Sequence, residues 1–209
     1  MKLSFVLNGR PVAVETAPDR RAVDLLRALG ALGLDLKDAP DSTRAADVPD
    51  GIDGIDGIDA TGAKNMNALS DMMDVKEGCG TGECGACSVL VDGVHKLSCL
   101  LLAAQLEGRE LTTPRGLGTP EAPHAIQRAF AERGAVQCGF CSPGMTIAAA
   151  ALLAENPAPA REDIRRAISG NLCRCTGYVM IVDAVEAAAQ ELRRDSAPGD
   201  APGRKAGKP

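Results

Sequence analysis

The sequence predicts an α+β chain in two parts, a small α+β roll followed by a compact bundle of short helices. Three observations predict it. Two segments alternate apolar and polar residues about an Asn-Gly and an Asp-Gly pair, a single helical repeat lies between them, and beyond Pro120 apolar residues recur only at helical spacing.

Residues 3–7 and 12–14 alternate around Asn8-Gly9, a pair that accepts the positive φ demanded at both centres of a tight hairpin turn. From Asp19, read as a helix N-cap, Ala22, Val23, Leu25, Leu26 and Leu29 follow at helical spacing and stop near Gly30. Between about 34 and 74 the composition shifts to Asp, Gly, Ala and Pro, with a Gly-Ile-Asp triplet starting at Gly51, Gly54 and Gly57. This reads as an inserted surface segment. Aspartate at every third position fits no EF-hand loop, so a solvated loop is expected there rather than a calcium site.

Ser88-Val89-Leu90-Val91, Asp92-Gly93 and Val94 form a second hairpin pattern, and 111–114 a last short strand. A first domain is therefore expected over 1–116. Helical periodicity over 123–134, 143–155, 160–169 and 179–193 predicts a second, helical domain over 117–193, with Pro143 suited to a first helical turn and Asn156-Pro157 to a stop. The tail 194–209 has nothing to bury and is expected to be disordered.

Composition narrows the function. The 209 residues carry a formal charge of −5 and no basic stripe, which excludes an ordinary nucleic-acid footprint. With no Trp, one Tyr and three Phe, an aromatic-lined substrate pocket within this chain is not expected. No apolar run reaches the length of about 18 residues needed for a membrane span, and the N-terminus lacks a secretory pattern, so a cytoplasmic location is expected. In that reducing compartment, the eight cysteines are read as metal ligands rather than a disulfide framework.

The cysteines fall into two constellations. The first is Cys79-x4-Cys84-x2-Cys87-x11-Cys99, whose first three members have plant-type ferredoxin spacing for a [2Fe–2S] cluster. Gly80, Gly82 and Gly85 interleave with them. Lacking Cβ atoms, these glycines can take positive φ and let backbone N–H groups approach sulfur, which stabilises the added charge of a reduced cluster. The same glycines match a dinucleotide-binding pattern, but two cysteines interrupt the loop and a strand follows it where a helix is required. The second constellation pairs Gln137-Cys138-Gly139-Phe140-Cys141-Ser142-Pro143-Gly144 with Asn171-Leu172-Cys173-Arg174-Cys175-Thr176-Gly177-Tyr178. Each half sets two cysteines before a helix, whose positive N-terminus favours an anionic group. Spacing alone leaves structural zinc open at both sets.

These three motifs resemble the small iron–sulfur subunit of the xanthine dehydrogenase family of molybdenum hydroxylases, which includes carbon monoxide and aldehyde dehydrogenases. The match covers about 1–32 and 75–193. The resemblance implies a β-grasp, plant-type ferredoxin-like domain holding one [2Fe–2S] cluster through Cys79, Cys84, Cys87 and Cys99. It implies an all-α four-helix domain holding a second through Cys138, Cys141, Cys173 and Cys175. It further implies a large partner subunit carrying a molybdopterin-type cofactor, with Gln137 and Cys138 touching the pterin, and an FAD-binding medium subunit beyond the ferredoxin-type cluster. The segment 34–74 departs from the family, whose members have a short connection there.

The function that follows is single-electron relay from a partner's molybdenum site to FAD or another acceptor, with no catalytic residue and no hydroxylase activity in this chain alone. A zinc-stabilised interaction module is the rival reading, and a stand-alone ferredoxin a third. His95 and His124 are expected to be solvated surface residues. Arg174 is read either as tuning the nearby cluster or as a structural ion-pair partner, Tyr178 as packing behind the cysteine loop, and Met72 and Met73 as local packing.

Overall fold

The computed structural model describes residues 1–31 and 75–196. The expected insertion, with its Gly-Ile-Asp triplets, Met72 and Met73, lies outside the described residues, as does 197–209.

Strands β1 (Lys2–Leu7) and β2 (Arg10–Glu15) pair antiparallel in the register Leu3 to Val14 and Phe5 to Val12. Asn8 at φ 53° and Gly9 at φ 78° make the tight turn. Strands β3 (Ser88–Val91) and β4 (Val94–Leu97) repeat the arrangement around Asp92 at φ 50° and Gly93 at φ 77°. The short β5 (Glu110–Thr112) joins the two hairpins, running parallel to β1 and antiparallel to β3, and gives one five-stranded sheet in the order β2-β1-β5-β3-β4. The strand expected over 111–114 thus ends at Thr112, and Pro114 instead opens a one-turn helix, α2 (Pro114–Leu117), where its missing N–H costs nothing.

Helix α1 (Ala22–Ala31) lies against the sheet, with Leu25, Leu26 and Leu29 in a core with Leu3, Phe5, Val89 and Leu111. It begins three residues after Asp19, which is not its cap. Arg21 bridges to Leu102 in extended pairing, and Ala22 N–H donates to the Leu101 carbonyl, so the chain leaves an isolated β-bridge directly into the helix. Two 3-10 turns, Ser98–Leu100 and Ala103–Leu106, fill the path from β4 back to β5.

The remaining helices are α3 (Ala125–Glu132), α4 (Ser142–Glu155), α5 (Arg161–Ala167) and α6 (Val179–Ser196). Each falls where the periodicity predicts, and α6 continues to Ser196, three residues past the expected end at 193. Ile126, Phe130, Met145, Ile164, Ile168, Ile181 and Val185 form their shared core, all at 1 % exposure or less. Helix α4 is buried along most of its length because it packs both on the other helices and on β3 and β4. That shared helix brings the end carrying the second cysteine constellation to the sheet edge carrying the first.

Candidate iron–sulfur centres

The chain from Val75 to Cys87 runs without regular structure and curls around the Cys79 thiol. Backbone N–H groups of Thr81, Glu83 and Cys84 all lie 3.4 Å from Cys79 Sγ. Gly80, Gly82 and Gly85 take φ values of 67°, 84° and 71°, the left-handed conformations that aim those donors inward. Hydrogen bonds from the Thr81 side chain and then from these amides pull the exposed Cys79 thiol down to about 6. The loop is also sterically tight. A Cβ on Gly78 would stand 2.9 Å from Cys84 Sγ, and one on Gly82 would stand 2.5 Å from the Leu100 side chain.

Cys87 and Cys99 are buried with Val23 of α1 at the back of this loop. Burial, and then the neighbouring Cys87 side chain, push the Cys99 thiol up to about 11. Arg21 secures the loop from outside through Asp24 at 2.8 Å and Glu77 at 2.5 Å, the latter two residues before Cys79. Arg27 reaches the same Glu77 carboxylate at 3.5 Å.

In the second constellation, Cys141 sits at the N-cap position of α4, with Pro143 in the first helical turn. The Cys141 N-cap and the positive-φ Gly139 turn the chain so that Cys138 is exposed and Cys141 half-buried. Cys173 and Cys175 approach from the loop before α6. Cys175 Sγ lies 3.6 Å from Cys138 Sγ at the surface, and Cys173 pairs with Cys141 beneath them. Burial first, and then Cys173, drive the Cys141 thiol up to about 12. Burial acts on Cys173 the same way, but hydrogen bonds led by the Thr176 hydroxyl at 3.1 Å leave that thiol below its ordinary value. Tyr178 closes the loop from behind, accepting from Cys173 N–H at 2.8 Å and donating to the Asn171 carbonyl at 3.1 Å.

Thiols therefore meet in pairs, Cys138 with Cys175 and Cys141 with Cys173 in the second set and Cys87 with Cys99 in the first. Among the described residues no three His, Cys, Asp or Glu side chains converge on a single-ion site, whereas a [2Fe–2S] cluster presents two irons, each asking for two thiolates. The paired thiols and the amides aimed at Cys79 fit that group better than one tetrahedral zinc, for which sulfur donors alone would serve equally.

The two loops also touch. Leu172 N–H donates to the Cys84 carbonyl at 2.9 Å, so backbone joins a cysteine of one set to the residue before Cys173 of the other. Asn171, 1 % exposed, sends Nδ2 to the Gly85 carbonyl at 2.9 Å and to Ser88 Oγ at 3.2 Å. Sequence reasoning assigns no role to Asn171 or Ser88. The one signal it offers for them is a polar residue beside each cysteine motif.

The other candidates are structural. His124 caps α3, its Nδ1 accepting from Ile126 N–H at 3.3 Å, and His95 lies 2.9 Å from Ser88 Oγ. Both are half-buried rather than solvated, and burial lowers the pKa of each. Arg174 is exposed and makes no ion pair among the described residues, which leaves the structural-pair reading unsupported. Gln137 is exposed beside Cys138.

A fold with paired thiols, amides trained on sulfur and a hydrogen-bonded seam between the two cysteine loops is that of an electron-transfer protein of the iron–sulfur class. Comparison with known proteins is specific. Residues 113–186 match a family described as "[2Fe-2S] binding domain". The nicotinate dehydrogenase small FeS subunit of Eubacterium barkeri is 48% identical over 119 residues, covering 57% of this chain and 76% of that protein. The xanthine dehydrogenase iron-sulfur-binding subunit of Escherichia coli O157:H7 is 53% identical over 117 residues, covering 54% and 73%. Among solved structures, quinoline 2-oxidoreductase from Pseudomonas putida 86 superposes with a TM-score of 0.70 at 36% identity, over 94% of this chain and 98% of that one. The chain belongs to the small iron–sulfur subunits of the xanthine dehydrogenase family of molybdenum hydroxylases. It is a non-catalytic, electron-transferring subunit of a multi-subunit oxidoreductase. No helix among the described residues is long and apolar enough to cross a membrane.

Proposed function

We propose that Cys79, Cys84, Cys87 and Cys99 hold one [2Fe–2S] cluster and Cys138, Cys141, Cys173 and Cys175 the other. The fold is then a ferredoxin-like β-grasp domain over 1–116 and a four-helix domain from 117, whose last helix runs past the expected boundary at 193 to Ser196. The observation that carries this reading is the seam in which Leu172 N–H meets the Cys84 carbonyl, because a relay needs its two centres in one rigid frame.

Each cluster when bound accepts and returns one electron. The protein's part is to set where that electron rests. Three amides around Cys79 favour added negative charge at the first centre, and Gly80, Gly82 and Gly85 keep them in place. Cys138 and Cys175 at the surface, with Gln137 beside them, form the face that meets a molybdopterin-type cofactor held by a large partner subunit. The exposed loop of Cys79 faces an FAD-binding medium subunit, and the complex is cytoplasmic. The relatives' names speak of nicotinate, xanthine and aldehydes for those enzymes, and in this complex the substrate is set by the large partner subunit.

The test is an EPR spectrum of the anaerobically purified, dithionite-reduced chain, with iron and acid-labile sulfide quantified on the same sample. Two distinct S = 1/2 signals with about four iron and four sulfide per chain are expected. Stoichiometric zinc and a silent spectrum would overturn the reading.

A further inference from the structure

Lys76 stands at the junction of the two cysteine loops with its charge turned towards the second. It lies on the irregular approach to Cys79 and is half-buried. Its Nζ donates to the Gly139 carbonyl at 3.2 Å, across to the turn between Cys138 and Cys141, and lies 5.6 Å from the centre of the Phe140 ring. That carbonyl also accepts from Ser142 N–H at 3.4 Å, so the ammonium adds to the hydrogen bond that closes the cysteine turn. Phe140 reciprocates, its Cε1 3.4 Å from where a Cβ on Gly78 would be, next to Cys84 Sγ. One residue from each loop is thus seated on the other.

The charge balance is as informative as the geometry. The adjacent Glu77 carboxylate is taken up by Arg21 and Arg27, whereas Lys76 makes no ion pair among the described residues. A cation fixed on a ligand-bearing turn, with no carboxylate paired to it among the described residues, stabilises a centre whose negative charge grows by one on reduction. A surface lysine held only by water would be screened by salt. Here the carbonyl and the ring hold the ammonium in place.

We propose that Lys76 is a positioning residue that clamps the two cysteine loops together and raises the reduction potential of the centre held by Cys138, Cys141, Cys173 and Cys175. The proposal rests on the two-cluster reading above. It assigns the residue a preference between centres: the electron is drawn towards the second by a charge that the first loop supplies. Removing the charge shifts the one-electron equilibrium of the second centre by about three- to tenfold towards the oxidised form, tenfold being about 59 mV for a one-electron couple.

The experiment is an EPR-monitored redox titration of the assembled complex carrying Lys76→Gln, Lys76→Met or Lys76→Arg, with iron counted in each. Glutamine retains a donor for the Gly139 carbonyl but no charge, and so separates electrostatics from the clamp. Cys175→Ser, which alters only the spectrum of the second centre, assigns the signals. A lower potential for the second centre in Lys76→Gln and Lys76→Met, restored in Lys76→Arg at full iron content, is the expected result. An unchanged second-centre potential in Lys76→Gln, or a shift confined to the first centre, overturns the proposal while leaving the clusters assigned. Absence of iron from the unaltered complex would instead overturn the two-cluster reading itself.

Discussion

Asn171 Nδ2 and the Gly85 carbonyl, 86 residues apart in sequence, are held at 2.9 Å where the helical half meets the first cysteine loop. The same amide reaches Ser88 Oγ at 3.2 Å, and the side chain is buried. Each such neutral hydrogen bond contributes about 1 kcal/mol net, so Asn171→Ala is expected to cost about 2 kcal/mol. Asn171→Asp should cost more, about 3–5 kcal/mol, since it turns a buried carboxylate on the Gly85 carbonyl oxygen. Urea unfolding of the cluster-loaded chain, followed by far-UV circular dichroism, measures both. Equal stabilities for the two variants would contradict the assignment of Nδ2 as the working donor.

Gly144 in α4 gives a prediction whose sign separates local propensity from packing. An alanine inside a helix ordinarily stabilises by about 0.5–1 kcal/mol over glycine. At Gly144, however, a Cβ would overlap the Gly85 carbonyl oxygen and come within 3.0 Å of Asn171 Nδ2. Gly144→Ala is therefore expected to destabilise by about 1–3 kcal/mol, through forced separation of the two halves. Gly134→Ala is the companion case, since its φ of 65° is strained while the nearest atom to the new Cβ, Met180 Sδ, lies at 3.8 Å. It should cost about 1–2 kcal/mol without disturbing the seam. Thermal unfolding ranks the pair, and a rise in midpoint for Gly144→Ala would show that the close approach can relax.

The contrast shows which parts of this molecule are legible in its sequence. Hairpins at Asn8-Gly9 and Asp92-Gly93 are local events written in two residues each, and the helices of the second half follow from the spacing of their own apolar residues. The start of α1 is not legible, because an extended bridge between Arg21 and Leu102, not the capping capacity of Asp19, decides it. The parallel pairing of β1 with β5 joins strands more than 100 residues apart and leaves no local mark. At the site, cysteine spacing singles out all eight thiols. The Cys138–Cys175 and Cys141–Cys173 pairs and the Asn171, Ser88 and Lys76 contacts arise where separate segments meet, and no periodicity encodes that.

Tyr178 carries a further prediction. Its φ of 69° is unfavourable for a side-chain-bearing residue, and the hydroxyl bonds at 2.8 Å from Cys173 N–H and to the Asn171 carbonyl account for its retention in that conformation. Tyr178→Phe keeps the ring and loses both bonds, at an expected cost of about 1–2 kcal/mol. Because those bonds anchor only the second cysteine set, iron should leave that centre first on exposure to chelator. EPR signals recorded at intervals during chelation follow this directly. Parallel decay of both signals would argue that Tyr178 supports the whole chain rather than the Cys173 loop.

The metal-free chain has a pH signature set by Cys79. Hydrogen bonds from Thr81, Glu83 and Cys84 hold its thiol at about 6 against an ordinary value of 9.0. The folded value is depressed, so the folded form binds fewer protons than the unfolded form between the two. The resulting stability is fully present above pH 9, and it is lost as pH falls towards 6. In the folded apo-chain at pH 7, Cys79 is accordingly mostly thiolate, whereas burial keeps Cys141, pushed up to about 12, protonated. Brief treatment with iodoacetamide at that pH, with the modified peptides identified by mass spectrometry, should label Cys79 first and Cys141 last. Proline in place of Thr81 removes the amide donor at that position and should slow labelling of Cys79 at pH 7. If Cys79 reacts no faster than the equally exposed Cys138, the three amides do not converge on its sulfur until the metal is bound.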